Sequence, residues 1–250
     1  MLVTRPAAQA AEWVASLRGH GIEALSLPLI GIAPAGDAAV LHAAWLGLAQ
    51  RRFVMFVSPN AAQQFVAHRP AALGWPPGVL AGSPGPGTTR TLVASGVPAS
   101  CIIEPAADAA QFDSEALWAQ LEPLAWQGAD VLIVRGEGGR DWLADTLRQR
   151  GAQVAFLQAY RRVPPSFDAP AAALLQTAVR QPARHLWFFS SSEAVGHLAP
   201  HGEAADWAAA RAVATHPRIA ERAAQLGFGR VAQARPTLAA VVACIQSMRP

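Results

Sequence analysis

The chain predicts an α/β fold of two interleaved lobes, each a five-stranded parallel sheet flanked by helices, joined by a two-stranded linker. Three observations predict it. Short apolar runs of strand length alternate with amphipathic helical stretches. Three kinds of strand–helix segment each occur twice, in the same order. Two proline-bounded extended stretches, Pro28–Pro34 and Ala159–Pro165, follow the two copies of the first segment.

The first kind of segment is a strand ending in arginine, an amphipathic helix, a glycine and a second strand. It reads LVTRP…EWVASLRGHGIEALSLPLI and again VLIVRGEGGRDWLADTLRQRGAQVAFLQAYR. Trp13 and Leu17 lie four apart in one helix, Leu143 and Leu147 in the other, so each pair shares a face. Gly21 and Gly151 stand where each helix must stop and the chain turn back. The second kind is a buried strand running into a capped helix, FVMFVSPNAAQQFV and then LWFFSSSEAVGHLA. Ser58 is an N-cap with Pro59 at the first helical position, and Ser191 or Ser192 fills the equivalent place. The third kind is strand–turn–helix–strand, VLAGSPGPGTTRTLVASGVPASCIIEP and then AVATHPRIAERAAQLGFGRVAQA.

If both proline-bounded stretches are linkers, residues 1–30 and 168–250 form one discontinuous lobe. Residues 37–158 form the other, with 31–36 and 159–167 as linkers. Each lobe is then a flavodoxin-like unit of normal domain size, the second a circular reordering of the first. A plain tandem of two domains is the competing organisation.

Composition excludes several kinds of chemistry. At 250 residues, 52% apolar and 15% charged, the chain is far from the signature of disorder. Its longest apolar runs, such as Phe53–Val57 and Leu186–Phe189, are too short to span a bilayer. Met1 leads directly into a strand-like run, which predicts no secretory signal and a cytoplasmic location. The formal charge is +3, and all twenty basic residues are arginine. Without lysine there is no Walker-A phosphate loop, no Schiff-base nucleophile and no pyridoxal-phosphate anchor. Cys101 and Cys244 stand alone, and the seven histidines are scattered without ligand spacing, so neither a disulfide framework nor a metal site is expected. The Gly136-Glu137-Gly138-Gly139 run lacks the third glycine of a dinucleotide loop, since Asp141 stands there.

In open parallel sheets, ligands bind beyond the carboxyl ends of the strands, and the polar residues cluster there. Arg5 and Arg135 end the paired first strands. Ser58-Pro59-Asn60 and Ser190-Ser191-Ser192 end the second, Gly85-Pro86-Gly87-Thr88 and Thr215-His216-Pro217 the third. Each stands at or just before a helix start, where backbone N–H groups and the helix dipole favour an anion. A serine before proline also serves simply as a cap, and the arginines serve equally as surface ion-pair partners. Tyr160, the only tyrosine, falls in the second linker and is expected to face the cleft, where a phenol donates a proton or hydrogen bond. Half-burial at a hinge is the plain alternative.

Taken in order, LVTRP, PLIGI, FVSPNA, GPGT, FDSEALWAQL, VLIVRGEGGRDWLADTLRQRGA, AYRRVPP, FSSSEAV and ATHPRIAERAAQLGF resemble the bacterial uroporphyrinogen-III synthase family along nearly the whole chain. RGEGGR…LRQRGA with the later Y-R-R-x-P is the most specific block. The resemblance implies the interleaved two-lobe fold and a cyclising lyase of tetrapyrrole biosynthesis. Family members close the octacarboxylate hydroxymethylbilane to uroporphyrinogen III, losing water and inverting the last ring through an azafulvene and a spiro intermediate. No metal or organic cofactor takes part, and no nucleic acid or membrane is involved.

By the same resemblance Tyr160 matches the cleft tyrosine that assists departure of the hydroxyl. Ser58, Thr88, Ser191 and Thr215 match polar strand-end positions, and Arg5 and Arg135 match basic ones; Asn60 and Ser192 join the substrate-binding set as their neighbours. Two departures, Pro84 before GPGT and His216-Pro217 in place of a glycine-rich turn, bear on the donors there. A monomer is expected, with room for transient contact with the upstream deaminase. The rival from another class is a two-lobed anion-binding protein without catalysis; a nucleotide-dependent transferase is disfavoured by the missing phosphate loop.

Overall fold

Strand-length apolar runs become strands and capped amphipathic stretches become helices throughout the computed structural model, which describes residues 1–248. The chain divides into two compact units. One is Met1–Gly31 with the chain from Val163 onward; the other is Ile32–Arg162.

The chain opens with β1 (Leu2–Val3), α1 (Ala7–Gly19) and β2 (Leu25–Ser26). Next come β3 (Gly31–Pro34), α2 (Ala38–Leu46), β4 (Phe53–Phe56) and α3 (Pro59–Ala67). Then follow β5 (Leu80–Gly82), α4 (Pro86–Ala94), β6 (Ile102–Ile103) and α5 (Ser114–Leu121). The middle of the chain ends with β7 (Asp130–Gly136), α6 (Trp142–Gln149) and β8 (Gln153–Val163). The remainder is α7 (Ala169–Arg180), β9 (Leu186–Phe189), α8 (Ser192–Gly196), β10 (Arg211–Ala214), α9 (Pro217–Gln225), β11 (Arg230–Gln233) and α10 (Leu238–Ser247).

Helix starts are set locally. Asp37, Ser58, Asp113, Asp168, Ser191 and Thr237 each accept a backbone N–H from the first turn of the helix that follows. Proline occupies the first positions of α3, α4, α7 and α9, where its missing N–H costs nothing. Gly21 and Gly151, after α1 and α6, have φ of 72° and 88°, a left-handed turn-back that a side chain would strain.

The first unit holds a five-stranded sheet in the order β11-β10-β9-β1-β2, every pair parallel. The second holds a sheet in the order β3-β8-β7-β4-β5-β6. Leaving β3 aside, both orders read 2-1-3-4-5, the second counted from β7, so the duplicated segments occupy the same sheet positions in the two units.

The second sheet therefore counts six strands, one more than the five expected, because β3, which falls in the expected linker 31–36, pairs with the end of β8 in the other expected linker, 159–167. Gly31 lies against Val163, and Ala35 N donates to Ala159 O at 3.4 Å, so β3 runs antiparallel along the outer edge of β8. Its backbone donors and acceptors are used to cover that edge.

Strict alternation builds the core. Val54, Phe56, Leu132 and Val134 face α2, α3 and α4. Their neighbours Phe53, Met55, Val131 and Ile133 face Leu117 and Leu121 of α5 and Leu143 and Leu147 of α6. In the first unit Val3, Phe188 and Val213 pack on α1 and α10. On the opposite face Trp187 and Phe189 meet Trp207 and Phe228 in an aromatic group with centroids 5.1 to 6.2 Å apart. Strands buried on both faces have no solvent side, which explains their continuous apolar runs.

Candidate functional site

Each sheet has one place where its strand order reverses, the tips of β7 and β4 in the second unit and of β1 and β9 in the first. In doubly wound sheets the following helices leave to opposite faces at that point, which is where ligands of such folds bind.

At the β4 tip, Ser58 caps α3, its Oγ accepting from Ala61 N at 3.2 Å. The same oxygen lies 3.0 Å from the phenol oxygen of Tyr160. The contact arises from an irregularity. Arg135 pairs with Gln158, but Gly136 pairs with Tyr160, so Ala159 is an extra residue in β8. The bulge places Ala159 and Tyr160 consecutively on one face, where both join the α2–α3–α4 core. Gly136 makes room: a Cβ there would sit 2.7 Å from the Tyr160 ring.

This corrects the expected setting of Tyr160. It belongs to a sheet strand and is 1% exposed, with its ring in the core and its hydroxyl against the helix cap. The bulge breaks the alternation from which strand faces are read.

Arg135 ends β7 but turns inward on its own loop. It donates from Nε to Gly138 O at 3.0 Å and from Nη1 to Asp141 at 2.5 Å, and its guanidinium lies 4.8 Å from the centre of the Phe156 ring. Its first role is to shape the Gly136–Asp141 loop. Arg140, next in that loop, forms a two-pronged pair with Glu115 of α5; the hydrogen bond from Arg140 to Glu115 raises the Arg140 pKa above its ordinary value. Asn60 lies in the first turn of α3, partly exposed.

At the β5 tip, Thr88 is buried within the start of α4. Its neighbour Thr89 is the polar connector, its hydroxyl 2.6 Å from Glu104 Oε2 and 2.9 Å from Ser83 Oγ. Ser83 is fully buried; it donates to Gly85 O and accepts from Gly85 N. Ser83, Thr89 and Glu104 escaped the sequence reading because no spacing marks them; only the neighbouring GPGT turn pointed to the place.

In the first unit Arg5 follows β1, donating to Gln9 Oε1 at 3.3 Å and lying 4.9 Å from the centre of the Trp13 ring. Thr4 beside it, also missed, is buried and donates to Phe188 O, fastening the β1 tip to β9. Ser191 caps α8 through Glu193 N, Ser192 lies 3.4 Å from Arg218 O, and Thr215 N donates to Phe189 O at the β10 tip. His216 caps α9, its Nδ1 accepting from Arg218 N. Among the site residues expected from sequence, the structure brings Ser58 and Tyr160 into direct contact.

Among the described residues no three His, Cys, Asp or Glu side chains gather as metal ligands, and no helix is long and apolar enough to cross a membrane. What this arrangement offers is neutral hydroxyl and backbone donors at strand tips, suited to holding anionic groups and passing a proton.

Doubly wound parallel sheets flanked by helices define an α/β protein. Residues 11–243 match the family model described as Uroporphyrinogen-III synthase HemD. The uroporphyrinogen-III synthase of Escherichia coli (strain K12) is 32% identical over 178 residues, 70% of this chain and 69% of that one. That of Salmonella typhimurium is 32% identical over 181 residues, with 70% and 69% covered. The chain belongs to the uroporphyrinogen-III synthase family, cyclising lyases of tetrapyrrole biosynthesis. The fold is shared with uroporphyrinogen III synthases of known structure. A mutant of the Thermus thermophilus enzyme superposes with a TM-score of 0.56 at 17% identity, covering 98% of this chain and 95% of that one. The Helicobacter pylori 26695 enzyme gives 0.56 at 16% identity, covering 90% and 92%.

Proposed function

We propose that this chain closes hydroxymethylbilane to uroporphyrinogen III, inverting the last pyrrole ring and releasing water. The observation that carries the reading is the family match over residues 11–243. The polar strand tips of both units fit the same conclusion, because the substrate carries eight carboxylates and no metal or cofactor is needed to close it.

The chemistry asked of the protein is mainly positional. Left in water, the bilane loses its hydroxyl and closes to the uninverted isomer. The enzyme must hold the last ring for attack at its substituted carbon, a problem of orientation to which bound geometry contributes several kcal/mol. In this reading Arg5, Ser191, Ser192 and Thr215 in one unit and Asn60, Thr88 and Arg135 in the other supply carboxylate donors, together with backbone N–H groups, and Ser58 binds the substrate beside Tyr160. Tyr160 assists departure of the hydroxyl. Each unit acts as a lobe, with paired β3 and the end of β8 as linker. The protein works in the cytoplasm as a monomer, taking a labile substrate by transient contact with the upstream deaminase.

The test is to give purified protein fresh hydroxymethylbilane and separate the isomers. Isomer III is expected to dominate. Isomer I at the rate seen without enzyme would overturn the proposal and favour a binding protein without catalysis.

A further inference from the structure

Tyr160 is 1% exposed, so no substrate atom reaches its phenol directly in this conformation. Its hydroxyl has one partner among the described residues, Ser58 Oγ at 3.0 Å. A buried O–H must donate, so the phenol donates to Ser58. The Ser58 oxygen also accepts from Ala61 N at 3.2 Å. Those two bonds occupy both lone pairs, and the proton of Ser58 itself has no acceptor among the described residues. Ser58 is partly exposed at the reversal point between β7 and β4. A hydroxyl that accepts two hydrogen bonds and keeps its own proton free is polarised toward donation outward.

We propose that Ser58 is the group that touches the departing hydroxyl, and that Tyr160 is the positioning residue behind it. The inference rests on the function proposed above. As the carbon–oxygen bond of the hydroxymethyl group breaks, its electron pair goes to oxygen. The Ser58 proton passes to that oxygen, and water leaves. Tyr160 gives its proton to Ser58 Oγ and is briefly a phenolate, beside the positive N-terminal end of the nine-residue helix α3. The substrate is left as a protonated azafulvene. The proton later surrendered by the free α-carbon of the last ring on closure returns to the phenolate through Ser58. No proton is gained or lost over the cycle.

The experiment separates the proton from the helix cap. Ser58→Asn keeps a good cap for α3 but has no hydroxyl, whereas Ser58→Thr keeps both. With hydroxymethylbilane as substrate, Ser58→Asn is expected to lower kcat on the order of tenfold to a hundredfold with KM within about twofold, as loss of a general acid does. Ser58→Thr is expected to restore most of kcat. Tyr160→Phe should cost less than Ser58→Asn, and the double variant should match Ser58→Asn alone. A Ser58→Asn enzyme with wild-type kcat overturns the assignment, and so does a Tyr160→Phe loss that exceeds it and adds to it. Wild-type protein that yields only isomer I fails the proposed function itself, a result distinct from either.

Discussion

Gly136 and Tyr160 face each other across β7 and β8, and the missing side chain of the glycine is the space in which the tyrosine ring lies, with an added Cβ only 2.7 Å from Cζ. Gly136→Ala is therefore expected to push the ring from its seat. Overpacking of this kind costs about 1–3 kcal/mol, read as a lower denaturation midpoint at unchanged slope. Activity should fall with it, because the phenol loses its register with Ser58.

The Arg135 loop offers a contrast between charge and packing. Asp141 is 53% exposed, so its ion pair with Arg135 is screened by solvent. Asp141→Asn is expected to change stability by less than about 1 kcal/mol. Arg135→Ala should cost more, since it also removes the bond to Gly138 O and the stacking on Phe156. Urea denaturation of the two variants gives the ranking; equal losses would mean that the ion pair carries the loop.

Ser83 is the buried centre of the Gly85–Thr89–Glu104 connection. Ser83→Ala leaves the Gly85 N–H without its acceptor, at a cost of about 1–3 kcal/mol. Thermal unfolding measures it. Substrate affinity is expected to weaken as well, because the same residue holds the turn that starts α4.

Cys244 gives a pH-dependent handle. Burial pushes its thiol pKa above the ordinary value, partly offset by the charge of Arg230. The raised pKa means that the folded state favours the thiol, so this contribution is complete below the unfolded pKa and is lost as pH rises through the folded one. At mildly alkaline pH the folded chain should therefore react with iodoacetamide at Cys244 more slowly than the unfolded chain, as peptide mass mapping would record. Equal rates would show that the thiol is not protected.

Much of the fold was legible locally. The apolar runs Phe53–Phe56 and Leu186–Phe189 are strands because their continuous hydrophobicity suits a sheet covered on both faces. Ser58, Asp113 and Ser191 cap helices by bonds to N–H groups two or three residues on, which any chain of that local sequence can form. The duplicated order of segments also carried through, since β7, β8, β4, β5 and β6 occupy the sheet positions of β1, β2, β9, β10 and β11.

By itself, then, the sequence determined the strands, the helix starts, the class of fold and the family, all of which rest on short-range spacing or on motifs in order. Only the tertiary structure decided that Arg135 serves its own loop and that Tyr160 turns into the core to meet Ser58, 102 residues away in sequence. The reason is physical. A one-residue bulge reverses which face a strand residue occupies, and a hydrogen bond between distant segments depends on where whole elements pack, and neither leaves a mark in the periodicity of either segment.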